Sequence, residues 1–274
     1  MNRNILRFFL AAAMLGVATV SNAAPLSGEA KRLYDLASHG QKTSDAMSLG
    51  AEVVPTQDGR SFFMVWEPQA IKGKPHKWIV SLHGSNGFAT KDLEIWSPYL
   101  KDRNLGIISL QWWFGGGEKT QDYYSPFDLY REIDLLMRRM GIKPGEAMLE
   151  GFSRGSANIY AVAALDRNKG QRYFSLFVAN SGRASLDYPP TRAVDTGKFG
   201  DMPYKGSRWI TSCGERDTNP DRDGCPGMRR TGDWLKKLGA EVAFAIEDSS
   251  EGHGAFHRNP RNVNRALDWF LRNP

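Results

Sequence analysis

The sequence predicts an α/β protein: a mainly parallel sheet with helices on both faces and a small lid. Three observations carry that expectation. Short runs of apolar, β-branched and aromatic residues recur along the 274-residue chain, several apolar almost without a break, as strands buried on both faces are. Stretches with a 3.6-residue apolar period lie between them. A serine flanked by glycines falls where one such strand meets one such helix. Strands alternating with helices build parallel βαβ units.

Taken in chain order, the first residues read as a leader. Arg3 and Arg7 precede the apolar stretch 8–20, and Ser21-Asn22-Ala23 offers the small-x-small pattern of a cleavage site. A signal peptide over 1–23, cut after Ala23, is therefore expected, with 24–274 forming one domain. The apolar stretch is short for a membrane span, and no cysteine lies near the cut to carry a lipid. A periplasmic or secreted location follows.

A short helix is expected over 28–41. Strands are expected at 61–68, 77–84, 105–113, 147–153, 173–182, 208–215 and 241–248. In 127–141, Leu129, Ile133, Leu136, Met137 and Met140 share one helical face, and Gly141 offers the stop. Residues 155–165 read as an alanine-rich helix. In 262–271, Val263, Ala266, Leu267 and Phe270 repeat the helical pattern. The segment 183–207 fits neither period and, rich in Pro, Gly and Asp, reads as a loop or small lid.

Composition removes several function classes. Hydrophobic residues are 41% and charged residues 24%, ordinary for a globular chain. The formal charge is +6, but its lysines and arginines are scattered among acids rather than lined up with aromatics, so no nucleic-acid partner is expected. No later stretch is apolar enough to span a bilayer. No His-Glu-x-x-His pair or clustered ligand spacing appears, so neither metal nor cofactor is expected. The run Gly115-Gly116-Gly117-Glu118-Lys119-Thr120 looks like a phosphate loop but has Glu118 where glycine is needed before the lysine.

The chemistry is expected around Ser153, in Gly151-Phe152-Ser153-Arg154-Gly155. A sharp strand-to-helix turn crowds the positions two residues either side of the serine. Glycine there lets strand and helix approach while the hydroxyl is thrust above the sheet edge. A serine hydroxyl needs a base. His253, flanked by glycines after the last strand, is the candidate; His257, beside Arg258, competes but is expected to face solvent. His39 and His76 read as surface residues. The base needs an acid to fix its tautomer. Asp217, a short turn beyond the strand 208–215, is the candidate, with Asp221 the alternative and Glu215 and Asp223 read as solvated. Cys213 and Cys225, the only cysteines, are expected to pair in an oxidising compartment and enclose Asp217 in their ring.

Backbone N–H groups of Ser85, in His83-Gly84-Ser85-Asn86-Gly87, and of Arg154 are candidate donors to an oxyanion, with His83 ordering its turn by hydrogen bonds. Trp112, Trp113 and Phe114, at the end of the strand 105–113, are either pocket walls or packing residues.

With these pieces assembled, the sequence resembles the α/β-hydrolase superfamily over essentially all of 24–274. The resemblance rests on Leu-His-Gly-Ser-Asn-Gly (82–87), Gly-Phe-Ser-Arg-Gly-Ser (151–156), Gly-Glu-Arg-Asp (214–217) and Glu-Gly-His-Gly-Ala-Phe (251–256), in the family's order of serine, acid and base. It implies Ser153 as nucleophile, Asp217 as acid, His253 as base and main-chain donors at Ser85 and Arg154. The chain looks most like secreted esterases of the feruloyl-esterase and polyester-depolymerase kind. It departs from the esterase pattern with three glycines after the histidine, and it lacks a large cap insertion.

The expected activity is hydrolysis of small-molecule or polymer-derived carboxylic esters through a covalent acyl-enzyme. A peptidase or amidase of the same fold, or a binding protein without turnover, are the alternatives.

Overall fold

A computed structural model describes residues 25–39, 41–74 and 76–273. The expected signal peptide and its cut after Ala23 lie outside the described residues.

All seven expected strands form, and an eighth precedes them. In chain order they are β1 (Glu52–Pro55), β2 (Phe62–Trp66), β3 (Lys77–Leu82), β4 (Leu105–Leu110), β5 (Ala147–Phe152), β6 (Phe174–Asn180), β7 (Arg208–Gly214) and β8 (Glu241–Asp248). The helices are α1 (Gly28–Ser38), α2 (Gln41–Ser48), α3 (Ala89–Leu100), α4 (Pro126–Arg139), α5 (Arg154–Asn168), α6 (Pro189–Asp195), α7 (Cys225–Lys237), α8 (Ala255–Arg258) and α9 (Pro260–Arg272).

One sheet takes the order β1-β2-β4-β3-β5-β6-β7-β8. β2 runs antiparallel to both β1 and β4, and every pairing from β4 through β8 is parallel. The chain winds one way from β3 to β4 and the other way from β5 onward. The reversal falls at β3 and β5, which pair directly through Leu82 and Gly151 at their carboxyl ends. Sites in open parallel sheets form at such a switch point.

Both faces of the central strands are buried, which explains their nearly unbroken apolar runs. Val80, Leu82 and Leu149 enter one core beneath α4, α5 and α7. Ile79 and Met148, on the alternate positions, enter the other with α3 and α9. All four apolar residues expected on the α9 face are fully buried. The helix starts are written locally. Ser125 accepts the Asp128 N–H and Asn259 accepts the Arg261 N–H, each followed by a proline at the first helical position.

The segment 183–207 holds α6, and its Tyr188 hydroxyl donates to Asn158 of α5 at 2.8 Å. Among the described residues no helix is long and apolar enough to cross a membrane.

Candidate active site

The turn at Ser153 is strained and built for close approach. Ser153 sits at φ 54°, ψ −114° between β5 and α5, a backbone region that costs a non-glycine residue on the order of 1–3 kcal/mol. The surrounding structure fixes it: the Ser153 N–H donates to Asn180 O at 2.8 Å. A Cβ on Gly151 would lie 2.6 Å from the Gly155 carbonyl, and one on Gly155 would lie 2.1 Å from Leu82 O. The glycine spacing read from the sequence is thus a packing requirement of the strand–helix junction. A third such position, Gly182, was not legible there; a Cβ on it would lie 2.1 Å from Ser153 O.

His253 follows β8 and meets Asp217, which follows β7. The His253 Nδ1–H donates to Asp217 Oδ2 at 2.8 Å, leaving Nε2 for another partner. Asp217 Oδ1 accepts the Asn219 N–H at 2.8 Å, so both carboxylate oxygens are held. The acid side chain is 1% exposed and the imidazole 38% exposed. The two loops are stitched together by Glu215 N–H to Asp248 O and Arg216 N–H to Glu251 O. Cys213, in β7, bonds to Cys225 at the start of α7, and the ring they close encloses Asp217.

The alternative acids lie elsewhere. Asp221 is 82% exposed and pairs with Arg230, and Glu215 is exposed. Asp223 departs from expectation: it is buried and pairs with Arg222 at 2.7 Å. Among the described residues, Asp217, Asp223 and His253 offer ligand atoms within 4.8 Å of one another. Within that group His253 Nδ1 bonds Asp217 Oδ2, Asp217 Oδ1 accepts the Asn219 N–H, and Asp223 Oδ2 pairs with Arg222.

The loop after β3 lies against the elbow, where a Cβ on Gly84 would be 3.0 Å from the Phe152 ring and 3.4 Å from Ser153 Cβ. His83 is buried; its Nδ1 bonds Gly84 O at 2.9 Å and its Nε2 accepts the Trp112 N–H at 3.4 Å. Burial pulls its pKa down to about 4, so it is neutral and orders the turn. Arg154 begins α5, where the backbone N–H has no intrahelical carbonyl to meet. Its guanidinium donates to Ser85 Oγ at 3.1 Å and to Glu118 O at 3.0 Å, tying the two loops together.

The aromatic run divides. Trp112, 1% exposed, stacks on His83 and donates its indole N–H to His83 O, so of the two readings open for it the packing one fits its burial. Phe114 packs against Tyr124 beneath Arg60. Trp113 lies edge-on to Phe88 and donates to Gly117 O.

His257 and His76 also need correction. His76 is partly buried, its ring 4.5 Å from that of Trp78 and its Nε2 3.3 Å from Glu67. His257 turns inward because α8 places it against Phe152 and Trp96, with ring centroids 5.9 and 5.5 Å away. Its Nε2 is buried without a hydrogen-bond partner, 3.5 Å from Glu150 Oε1. Glu150, three residues before Ser153, is fully buried in β5. It accepts Asn180 Nδ2–H at 3.1 Å and Ser81 Oγ–H at 3.2 Å. Burial and the neighbouring Asp92 push its carboxyl up to about 8. An acid inside an otherwise apolar strand was the one available signal for it in the sequence.

Comparison with protein-family models and with curated protein sequences gives no match. Solved structures do match. A fungal esterase from Rhizomucor miehei superposes with a TM-score of 0.62 at 12% identity, covering 92% of this chain and 98% of that one. An esterase/lipase from an uncultured bacterium gives 0.61 at 15% identity, covering 93% and 94%. A Pyrococcus furiosus esterase gives 0.58 at 15%, covering 84% and 92%. At these identities the likeness is one of fold, and together with the sheet order it makes this the α/β-hydrolase fold.

Proposed function

We propose that this chain is a carboxylic ester hydrolase working through a covalent acyl-enzyme, with Ser153 as nucleophile, His253 as general base and Asp217 as its orienting acid. The observation that carries it is the hydrogen bond of His253 Nδ1 to a buried, doubly held Asp217, at the same sheet edge as a strained, glycine-walled Ser153. That bond fixes the tautomer with Nε2 free to take a proton from the serine hydroxyl. The Ser153 oxygen then attacks the ester carbonyl, and the backbone N–H groups of Ser85 and Arg154 receive the developing oxyanion. His253 returns the proton to the leaving alcohol, and water releases the acyl group by the reverse path. Three of the solved structures sharing the fold are named as esterases, which favours esters over amides.

The rest of the reading follows the sequence. The leader expected over 1–23 and the Cys213–Cys225 disulfide favour an exported protein, periplasmic or secreted, made of one domain from residue 24 onward. Small or polymer-derived esters are the proposed substrates, handled without metal or cofactor.

Fluorophosphonate labelling and p-nitrophenyl ester turnover test the proposal in wild type and Ser153→Ala. Wild type is expected to label and turn over, and the variant to do neither. Turnover surviving in the variant removes Ser153 from the reaction. A wild type that takes no label is a binding protein, and one that cleaves only a peptide panel is an amidase.

A further inference from the structure

We propose that Glu150 and His257 form a buried positioning pair that ties the loop carrying His253 to the strand carrying Ser153. The proposal rests on reading Ser153, His253 and Asp217 as a triad. In the sheet, β5 and β8 are separated by β6 and β7, so no backbone ladder joins the strand of the nucleophile to the loop of the base. The acid and base loops are stitched to each other, but not to β5. Glu150 stands three residues before Ser153 on β5, and His257 stands four residues after His253 on α8. Their side chains meet beneath the elbow at 3.5 Å, with exposures of 0% and 12%. The Phe152 ring lies against both imidazoles, 4.9 Å from His253 and 5.9 Å from His257. A shift of His257 is therefore transmitted through Phe152 to the base.

Glu150 is held from every neighbouring element. Ser81 of β3 and Asn180 of β6 bond its two oxygens, and Trp96 of α3 donates to the same Ser81 hydroxyl at 3.2 Å. The second buried acid, Asp92 of α3, accepts from Ser109 of β4 at 2.8 Å and raises the Glu150 carboxyl further. The pair fits as two neutral groups, since burial raises Glu150 to about 8 and lowers His257 to about 4. A protonated carboxyl brings one O–H, and the orphaned His257 Nε2 is the acceptor facing it. At 3.5 Å the contact is longer than a normal hydrogen bond, so it orients the ring rather than locking it.

The test compares His257→Phe, Glu150→Leu and Glu150→Gln with wild type for kcat, KM and melting temperature. It also follows the far-downfield NMR signal of the His253 Nδ1 proton. His257→Phe keeps a ring against Phe152 and Trp96 and removes an unpartnered nitrogen, so its melting temperature is expected to match or exceed that of wild type. Its kcat is expected to fall about tenfold or more with KM nearly unchanged, because catalysis is steep in the placement of the base. The His253 signal is expected to broaden. Glu150→Leu should lose activity in the same way, whereas Glu150→Gln, which keeps an N–H to offer His257 Nε2 and a carbonyl oxygen for Ser81, should stay within about twofold.

A folded His257→Phe with wild-type kcat and an unmoved His253 signal overturns the proposal. So does activity loss in Glu150→Leu that merely tracks unfolding, in contrast to a stable and active His257→Phe. Failure of the enzyme reading shows separately, as a wild type that takes no fluorophosphonate, and the NMR signal still decides the pair.

Discussion

Two histidine–carboxyl pairs flank Phe152, and they differ in exposure and in hydrogen bonding. Above it, His253 is 38% exposed and bonds at 2.8 Å to an acid whose second oxygen is held by a backbone N–H. Below it, Glu150 is fully buried and His257 12% exposed, and the two stand 3.5 Å apart with the His257 Nε2 itself buried. In the upper pair His253 Nε2 is left free of the Asp217 bond, and in the proposed mechanism the acid stabilises the positive charge that the ring acquires. The lower pair sits where charge is expensive, so the carboxyl keeps its proton and the imidazole declines one. Residue types alone do not tell the two pairs apart; exposure and hydrogen bonding do.

The sharpest contrast comes from exchanging each acid for its amide. Asp217→Asn is expected to cut kcat by about 10³–10⁴-fold, since the amide can hold the wrong tautomer of His253 and cannot balance its charge. Glu150→Gln changes a carboxyl that is already neutral, so it should leave kcat within about twofold. Steady-state ester hydrolysis by the two variants makes the comparison, and equal losses would mean that Glu150 does not work as a neutral carboxyl.

The disulfide separates the two pairs at the level of stability. It closes a ring of sequence separation 12 around Asp217 and has no counterpart near Glu150. The Cys213→Ser/Cys225→Ser variant is expected to lose about 3 kcal/mol. At this chain length that is a melting-temperature drop of roughly 6–12 °C. Its kcat should fall with the acid loop, while the His257 resonances stay in place. A melting temperature and kcat equal to those of wild type would strip the bridge of that role.

Much of this was legible in the sequence, for reasons that also mark what was not. The central strands announce themselves because both faces are buried, so Ile79 and Val80 are both apolar although they enter different cores. β1 has four residues at the sheet edge with only Val54 buried, too little pattern to recognise. α7 is masked by the arginines and lysines of its exposed face. Ser153, Asp217 and His253 stood out because each follows a strand, and strand order brings their ends together. His257 was misread because Arg258 beside it does face solvent, and adjacent positions on a helix point apart. Trp112 was ambiguous for a similar reason: an aromatic after a strand serves a pocket or a core equally well.

The smallest expected effect is the most specific to the lower pair. His257 titrates near 4 when folded, against 6.5 in its ordinary environment, because burial opposes its charge. Between those values the unfolded imidazole binds a proton that the folded one does not, so this residue costs stability as pH falls from 6.5 toward 4. Glu150, raised to about 8, and Asp92, raised to about 7, act in the opposite direction. The folded chain keeps protons that the unfolded chain has released, so they favour the fold as pH falls. His83, also lowered to about 4, is common to wild type and variant. Replacing only His257 by Phe removes one term and leaves the others. The stability gap between His257→Phe and wild type is therefore expected to widen as pH falls through this window, by on the order of 2 kcal/mol near pH 5. Thermal melts of both proteins across the range measure it. A gap that stays constant would mean that His257 takes up its proton within the fold, and the pair beneath Phe152 would then not be two neutral groups.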